Sequence, residues 1–219
     1  MKGSSQTIVI TGARLTDPSV GIDDVKDVAL TGGKVSEVAP RIEPAAGSVV
    51  IDASGLWLWP GLVDVHVHFR EPGYTRKETL RTGSLSAAAA GYTSVVCEPN
   101  TEPAIDCPEM ARRVVGKART DAVVNVYVKA AITGGRRGRD LTDLPGLADE
   151  DGVVAFSDDG DPLVSRELMQ EACRAVSGFD GLLSPHCEVS PRARELYAAG
   201  EDPGFEPGSS HWNESSYIE

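Results

Sequence analysis

Pro60-Gly61-Leu62-Val63-Asp64-Val65-His66-Val67-His68-Phe69-Arg70 is the stretch that decides the fold. A Pro-Gly turn opens a short apolar run, Leu62 to Val67, whose length and β-branched content predict a strand. Side chains alternate along a strand, so His66 and His68 share one face near its C-terminal end. Two neutral imidazoles placed this way can chelate one metal ion. A lone His-x-His also occurs as two packed or surface histidines, so its surroundings carry the decision.

Downstream of this strand, apolar runs and helical stretches alternate. Strands are predicted at Thr93 to Cys97, Val123 to Ala131, Val153 to Phe156 and Gly181 to Ser184. Helices are predicted at Lys77 to Ala90, Pro108 to Ala118, Arg166 to Val176 and Pro191 to Ala198. Pro108 and Pro191 suit a first helical turn, and Gly91 suits a helix end. Thr133 to Glu150 reads as a long loop with one short helix, and Arg136-Arg137-Gly138-Arg139 within it as a solvated surface. Repeated β-then-α units imply a parallel sheet, either doubly wound or closed as a barrel. An eight-fold barrel takes roughly 250 residues; five strands are countable here, so a barrel would be unfinished.

Upstream, the pattern is different. Short β-like runs, Thr7 to Ile10, Val25 to Leu30, Lys34 to Ala39 and Val49 to Ile51, are separated by the turn signals Thr11-Gly12, Asp17-Pro18 and Gly32-Gly33. Residues 1–55 therefore read as a small β domain and residues 56–219 as an α/β domain. With 21 basic against 33 acidic residues, the net charge of −12 argues against a nucleic-acid backbone or an anionic membrane as partner. No apolar run approaches the roughly 18 residues that span a bilayer, and the opening Met1-Lys2-Gly3-Ser4-Ser5 is polar. Four cysteines, Cys97, Cys107, Cys173 and Cys187, form no CxxC pair and suit reduced thiols in the cytoplasm.

Other chemistry-bearing residues also fall at strand ends. In a parallel α/β fold, ligands gather at the carboxyl ends of the strands, so His186, in Leu183-Ser184-Pro185-His186, would converge on His66 and His68. Phe156-Ser157-Asp158-Asp159-Gly160 ends another strand with two carboxylates, which offer hard oxygen ligands able to bridge cations or simply form an Asp-Asp-Gly turn. The lysines end at Lys129, so a bridging group from this strand must be aspartate. Arg70 and, in Glu98-Pro99-Asn100-Thr101, Asn100 could clamp a substrate carboxylate. Cys187 adjoins His186 and would point the other way, a poor co-ligand. His211 lies beyond any predicted strand.

From Pro60 through Gly73 the sequence resembles the dihydroorotases of the amidohydrolase superfamily. The resemblance continues through Lys77-Glu78-Thr79, Gly91-Tyr92-Thr93, Pro99-Asn100-Thr101, Phe156-Ser157-Asp158-Asp159-Gly160 and His186-Cys187-Glu188. It looks like the longer bacterial type, which uses aspartate where relatives use a carboxylated lysine. The resemblance implies an α/β fold, an incomplete (β/α)8 TIM-type barrel with about five of its eight units, preceded by part of a small β-sandwich. It implies two zinc ions: His66 and His68 on one, Asp159 bridging, and His186 on the other. Arg70 and Asn100, with His68, would bind the small-molecule substrate in the reversible cyclisation of N-carbamoyl-L-aspartate to L-dihydroorotate, a step of de novo pyrimidine synthesis.

The family's remaining histidine ligand and its catalytic aspartate come from later strands, and nothing in this chain matches them. The expectation is therefore a piece of a longer enzyme, inactive alone, with an open apolar edge and the general base elsewhere. Another cyclic amidase, of the allantoinase or dihydropyrimidinase type, is the alternative enzyme; Arg70 and the absent lysine favour dihydroorotase. A non-catalytic subunit supporting aspartate transcarbamoylase is the alternative from a different class, and the retained His66, His68, Asp159 and His186 argue against it. A homo-oligomer is also compatible with the family.

Overall fold

The computed structural model describes residues 6–161, 163 and 166–186. The chain divides into two compact units, Met1–Gly61 and Leu62–Glu219.

The first unit is a sheet of β1 (Ile8–Asp17), β2 (Ile22–Thr31), β3 (Lys34–Ala39), β4 (Val49–Asp52) and β5 (Trp57–Leu58), in the order β3-β2-β1-β4 with β5 also on β1. β1 pairs antiparallel with β2 and parallel with β4 and β5. Thr11-Gly12, predicted as a turn between strands, is instead a bulge inside β1, where the register shifts between Ile10 and Ala13. Gly12 takes φ +69° there, which glycine adopts without a Cβ penalty. Its amide, displaced from the ladder, donates to Asp27 Oδ1 at 2.8 Å, while Asp27 Oδ2 accepts from the Ile42 amide at 2.9 Å. Both bonds hold the Asp27 carboxyl below its ordinary range. Val9, Ala29 and Ile42 form the buried cluster beside it.

The second unit is a parallel α/β sheet in the order β6-β7-β8-β9: β6 (Leu62–Val67), β7 (Tyr92–Cys97), β8 (Asn125–Ala130) and β9 (Val153–Phe156). The strand predicted at Gly181 to Ser184 is reduced to a single parallel bridge between Phe156 and Leu183. It is pinned by the Phe156 amide on the Leu182 carbonyl and the Ser184 amide on the Phe156 carbonyl. β6 lies at the sheet's edge with Leu62, Val63 and Val65 exposed.

The helices are α1 (Leu80–Ala89), α2 (Pro108–Asp121), α3 (Leu144–Ala148) and α4 (Arg166–Ser177). α1 starts three residues later than predicted, because Thr79 caps it by accepting from the Thr82 amide. Glu71 Oε2 takes a second orphan amide, that of Leu80, at 2.9 Å. Met169, Ala172 and Val176 recur at helical spacing along α4 and are buried with Val95, Val128, Ile132, Leu147 and Phe156 in one core. The helix predicted at Pro191 to Ala198, together with Cys187 and His211, lies outside the described residues. Among the described residues, no helix is long and apolar enough to cross a membrane.

Candidate metal centre

The C-terminal ends of the parallel strands bring His66, His68, Asn100, Asp159 and His186 together. His66 lies at the end of β6 and His68 just beyond it, followed by Phe69, whose ring lies against the backbone of α1 at Gly83. A Cβ on Gly83 would sit 2.3 Å from two Phe69 ring carbons, so this mid-helix glycine is required by the close approach. The ladder continues past β7, the Glu98 amide bonding the Val67 carbonyl at 2.9 Å. That places Glu98 and Asn100 beside the two histidines.

Three histidines face one carboxylate. His66 Nε2 and His186 Nδ1 each lie 3.4 Å from Asp159 Oδ1, and His68 Nε2 lies 3.7 Å from Asp159 Oδ2. His66, His68 and Asp159 each offer a ligand atom within 4.8 Å of the others. The separations at Asp159 Oδ1 are longer than the usual nitrogen–oxygen hydrogen bond and leave nitrogen and carboxylate oxygen donors facing one another. The donor set, nitrogen and carboxylate oxygen, is among those that zinc takes.

Asn100 ties this set together. His68 Nδ1 lies 3.1 Å from Asn100 Oδ1, and Asn100 Nδ2 donates to Asp159 Oδ2 at 2.8 Å. If Oδ1 accepts the Nδ1 proton, His68 presents an unprotonated Nε2 to the cluster. Asn100 is buried.

Asp158 and Asp159 have different partners. Asp158 is buried; its Oδ1 accepts from the Ile132 and Thr133 amides at 2.8 and 3.1 Å, and its Oδ2 accepts from the Thr133 hydroxyl. Burial pushes its carboxyl above the ordinary range, against the pull of these bonds. Asp158 thus fastens the β9 end to the loop after β8 and leaves Asp159 facing the histidines.

The arginine loop departs from expectation. Arg136 is not a solvated surface residue: its side chain is 17% exposed, its Nη2 donates to the Asp159 carbonyl at 2.9 Å, and it pairs with Asp161. Arg137 and Arg139 are exposed as predicted. Arg70 is partly exposed and follows the histidines with φ +56°.

Sequence reasoning missed the partners beneath His66. Glu98 Oε1 lies 3.2 Å from His66 Nδ1 and pairs with Lys129, whose Nζ also donates to Ser184 Oγ at 2.8 Å. Both side chains are almost wholly buried. The available signal was a lysine inside the apolar run Val123 to Ala131, since a buried ammonium demands an acidic partner.

Comparison with known proteins agrees with this architecture. The family model described as "Dihydro-orotase-like" matches residues 55–191. The dihydroorotase of Trichlorobacter lovleyi is 42% identical over 194 residues, covering 89% of this chain and 44% of the relative. That of Citrifermentans bemidjiense is 44% identical over 181 residues, covering 83% and 42%. The chain therefore spans less than half the length of these curated relatives. Among solved structures, the L-hydantoinase (dihydropyrimidinase) of Arthrobacter aurescens superposes with a TM-score of 0.72 over 90% of this chain and 44% of that one, at 22% identity, a likeness of fold. The chain belongs to the dihydro-orotase-like family.

Proposed function

We propose that this member of the dihydro-orotase-like family provides the first metal ligands and the substrate-carboxylate clamp of a dihydroorotase, interconverting N-carbamoyl-L-aspartate and L-dihydroorotate. The observation that carries this is Asp159, faced by His66, His68 and His186, in a chain 42% identical to a relative named dihydroorotase. The fold proposed is a (β/α)8 barrel with about five of its units here, preceded by part of a β-sandwich. Zinc as the metal, a cytoplasmic setting, a role in pyrimidine synthesis, and self-association or association with aspartate transcarbamoylase belong to the same proposal.

In this site His66, His68, Asp159 and His186 would hold the metal, with Asp159 the carboxylate that the three histidines share. When bound, zinc supplies Lewis acidity toward the ring amide and lowers the pKa of water. Arg70 offers a planar fork that grips the substrate carboxylate through two parallel bonds. Asn100 Nδ2 has a second N–H to offer that carboxylate while the first keeps its bond to Asp159. Asp158 and Arg136 fix the backbone on either side of the bridging residue. The general base comes from outside the described residues.

Metal analysis and a ring-opening assay on the full-length protein test this together. Wild type should carry zinc and open dihydroorotate, and His66→Ala should lose both. Unchanged zinc content in His66→Ala would refute the ligand assignment, and zinc-loaded wild type that is inert toward dihydroorotate would refute the substrate.

A further inference from the structure

We infer that Glu98 is a positioning residue for His66, itself held in place by Lys129; the inference rests on the reading of His66 as a metal ligand. Glu98 turns the imidazole so that Nδ1 faces its own carboxylate and Nε2 faces Asp159.

The Glu98–Lys129 pair needs a reason beyond stability. Its side chains are 0% and 5% exposed, and a buried ion pair contributes little net stability over apolar residues of the same volume. Lys129 has a second acceptor in Ser184 Oγ. Glu98 directs a single oxygen, Oε1, to both Lys129 and His66 Nδ1, while its buried Oε2 has no hydrogen-bond partner among the described residues. A carboxylate present only to neutralise Lys129 has no need to reach the histidine.

What it gains there is control of a tautomer. A carboxylate can only accept, so the 3.2 Å contact with His66 Nδ1 places the proton on Nδ1 and the free lone pair on Nε2. Nε2 is the nitrogen 3.4 Å from Asp159 Oδ1. His68 repeats the device with a neutral acceptor, Asn100 Oδ1 at 3.1 Å from its Nδ1. The two histidines are thus backed in the same sense, one by an anion and one by an amide. Lys129 matters because it grips the shared oxygen: without it, Glu98 is free to turn away.

The test uses the full-length protein, with zinc affinity from chelator competition and 15N-histidine NMR of the metal-free form. Glu98→Met/Lys129→Met removes both charges and keeps apolar volume. A purely structural pair predicts wild-type zinc affinity in this variant, whereas positioning predicts a loss of about 10–100-fold. Glu98→Gln keeps a carbonyl acceptor and should lose less than about tenfold. In wild type the His66 signals should report the Nδ1–H tautomer; an Nε2–H tautomer overturns the inference even if the double variant fails to fold. A double variant binding zinc like wild type overturns it as well. Should His66→Ala bind zinc like wild type, the ligand reading falls, and the tautomer measurement still decides what Glu98 does.

Discussion

The Asn100 side chain donates through Nδ2 to Asp159 Oδ2 at 2.8 Å across 59 residues of sequence, joining the end of β7 to the end of β9. Its other end meets His68. Replacing Asn100 with leucine of similar size should therefore loosen both proposed ligands at once. Zinc affinity should fall by about 10–100-fold, measured by chelator competition. An effect confined to KM for dihydroorotate would instead assign Asn100 to the substrate alone.

Asp158 and Asp159 should separate cleanly. Asp159→Asn should lose zinc while keeping its fold, whereas Asp158→Asn, which retains an acceptor for the Ile132 and Thr133 amides, should keep zinc. Asp158→Ala leaves those buried amides unpaired and should cost at least about 2 kcal/mol, read from urea unfolding. Zinc loss greater in Asp158→Asn than in Asp159→Asn would reverse the assignment.

Arg70→Lys exchanges a planar fork for a point charge. KM for dihydroorotate in the full-length enzyme should rise at least about tenfold, or roughly 1.4 kcal/mol. An unchanged KM would mean that the carboxylate is held by another group.

Gly83→Ala should destabilise the second unit despite the better helix propensity of alanine. The added Cβ meets the Phe69 ring at 2.3 Å, and overpacking of this kind costs about 1–3 kcal/mol. Phe69→Leu in the same background should recover part of the loss in thermal melts. No recovery would place the strain elsewhere.

Asp27 ties acid stability to the β1 bulge. Its carboxyl is held below the ordinary range by the Gly12 and Ile42 amides, so its contribution is present above the unfolded value of about 3.9 and is lost as pH falls through the lower folded value. The stability gap between wild type and Asp27→Asn should thus be widest near neutrality and close in acid. Denaturant melts across pH 3–7 (roughly the carboxylate range) check this, and a gap independent of pH would contradict it.

Much of this was legible in the sequence where one local signal sufficed. Lys34–Ala39, Leu62–Val67 and Val153–Phe156 coincide with their predicted runs because short β-branched segments flanked by turn residues have few alternatives. Thr11-Gly12 was misread because a bulge and a turn use the same positive-φ glycine; the decision lies with Asp27, 15 positions away. Glu98 and Lys129 were silent for the same reason: each looks costly alone, and they meet only across 31 residues. Arg136 looked like a solvated loop residue because its anchor, the Asp159 carbonyl, is a backbone atom with no sequence signature.

The convergence of His66, His68, Asp159 and His186 has a thermodynamic side. Donors from three separate stretches of chain meet only after the sheet has formed, so an ion held there binds the folded state and has no comparable site in the unfolded chain. Zinc would then act as a clasp on folding itself: at a hundredfold excess over its dissociation constant it adds about 2.7 kcal/mol. The melting temperature would become a readout of free metal, and a chelator would behave as a mild denaturant.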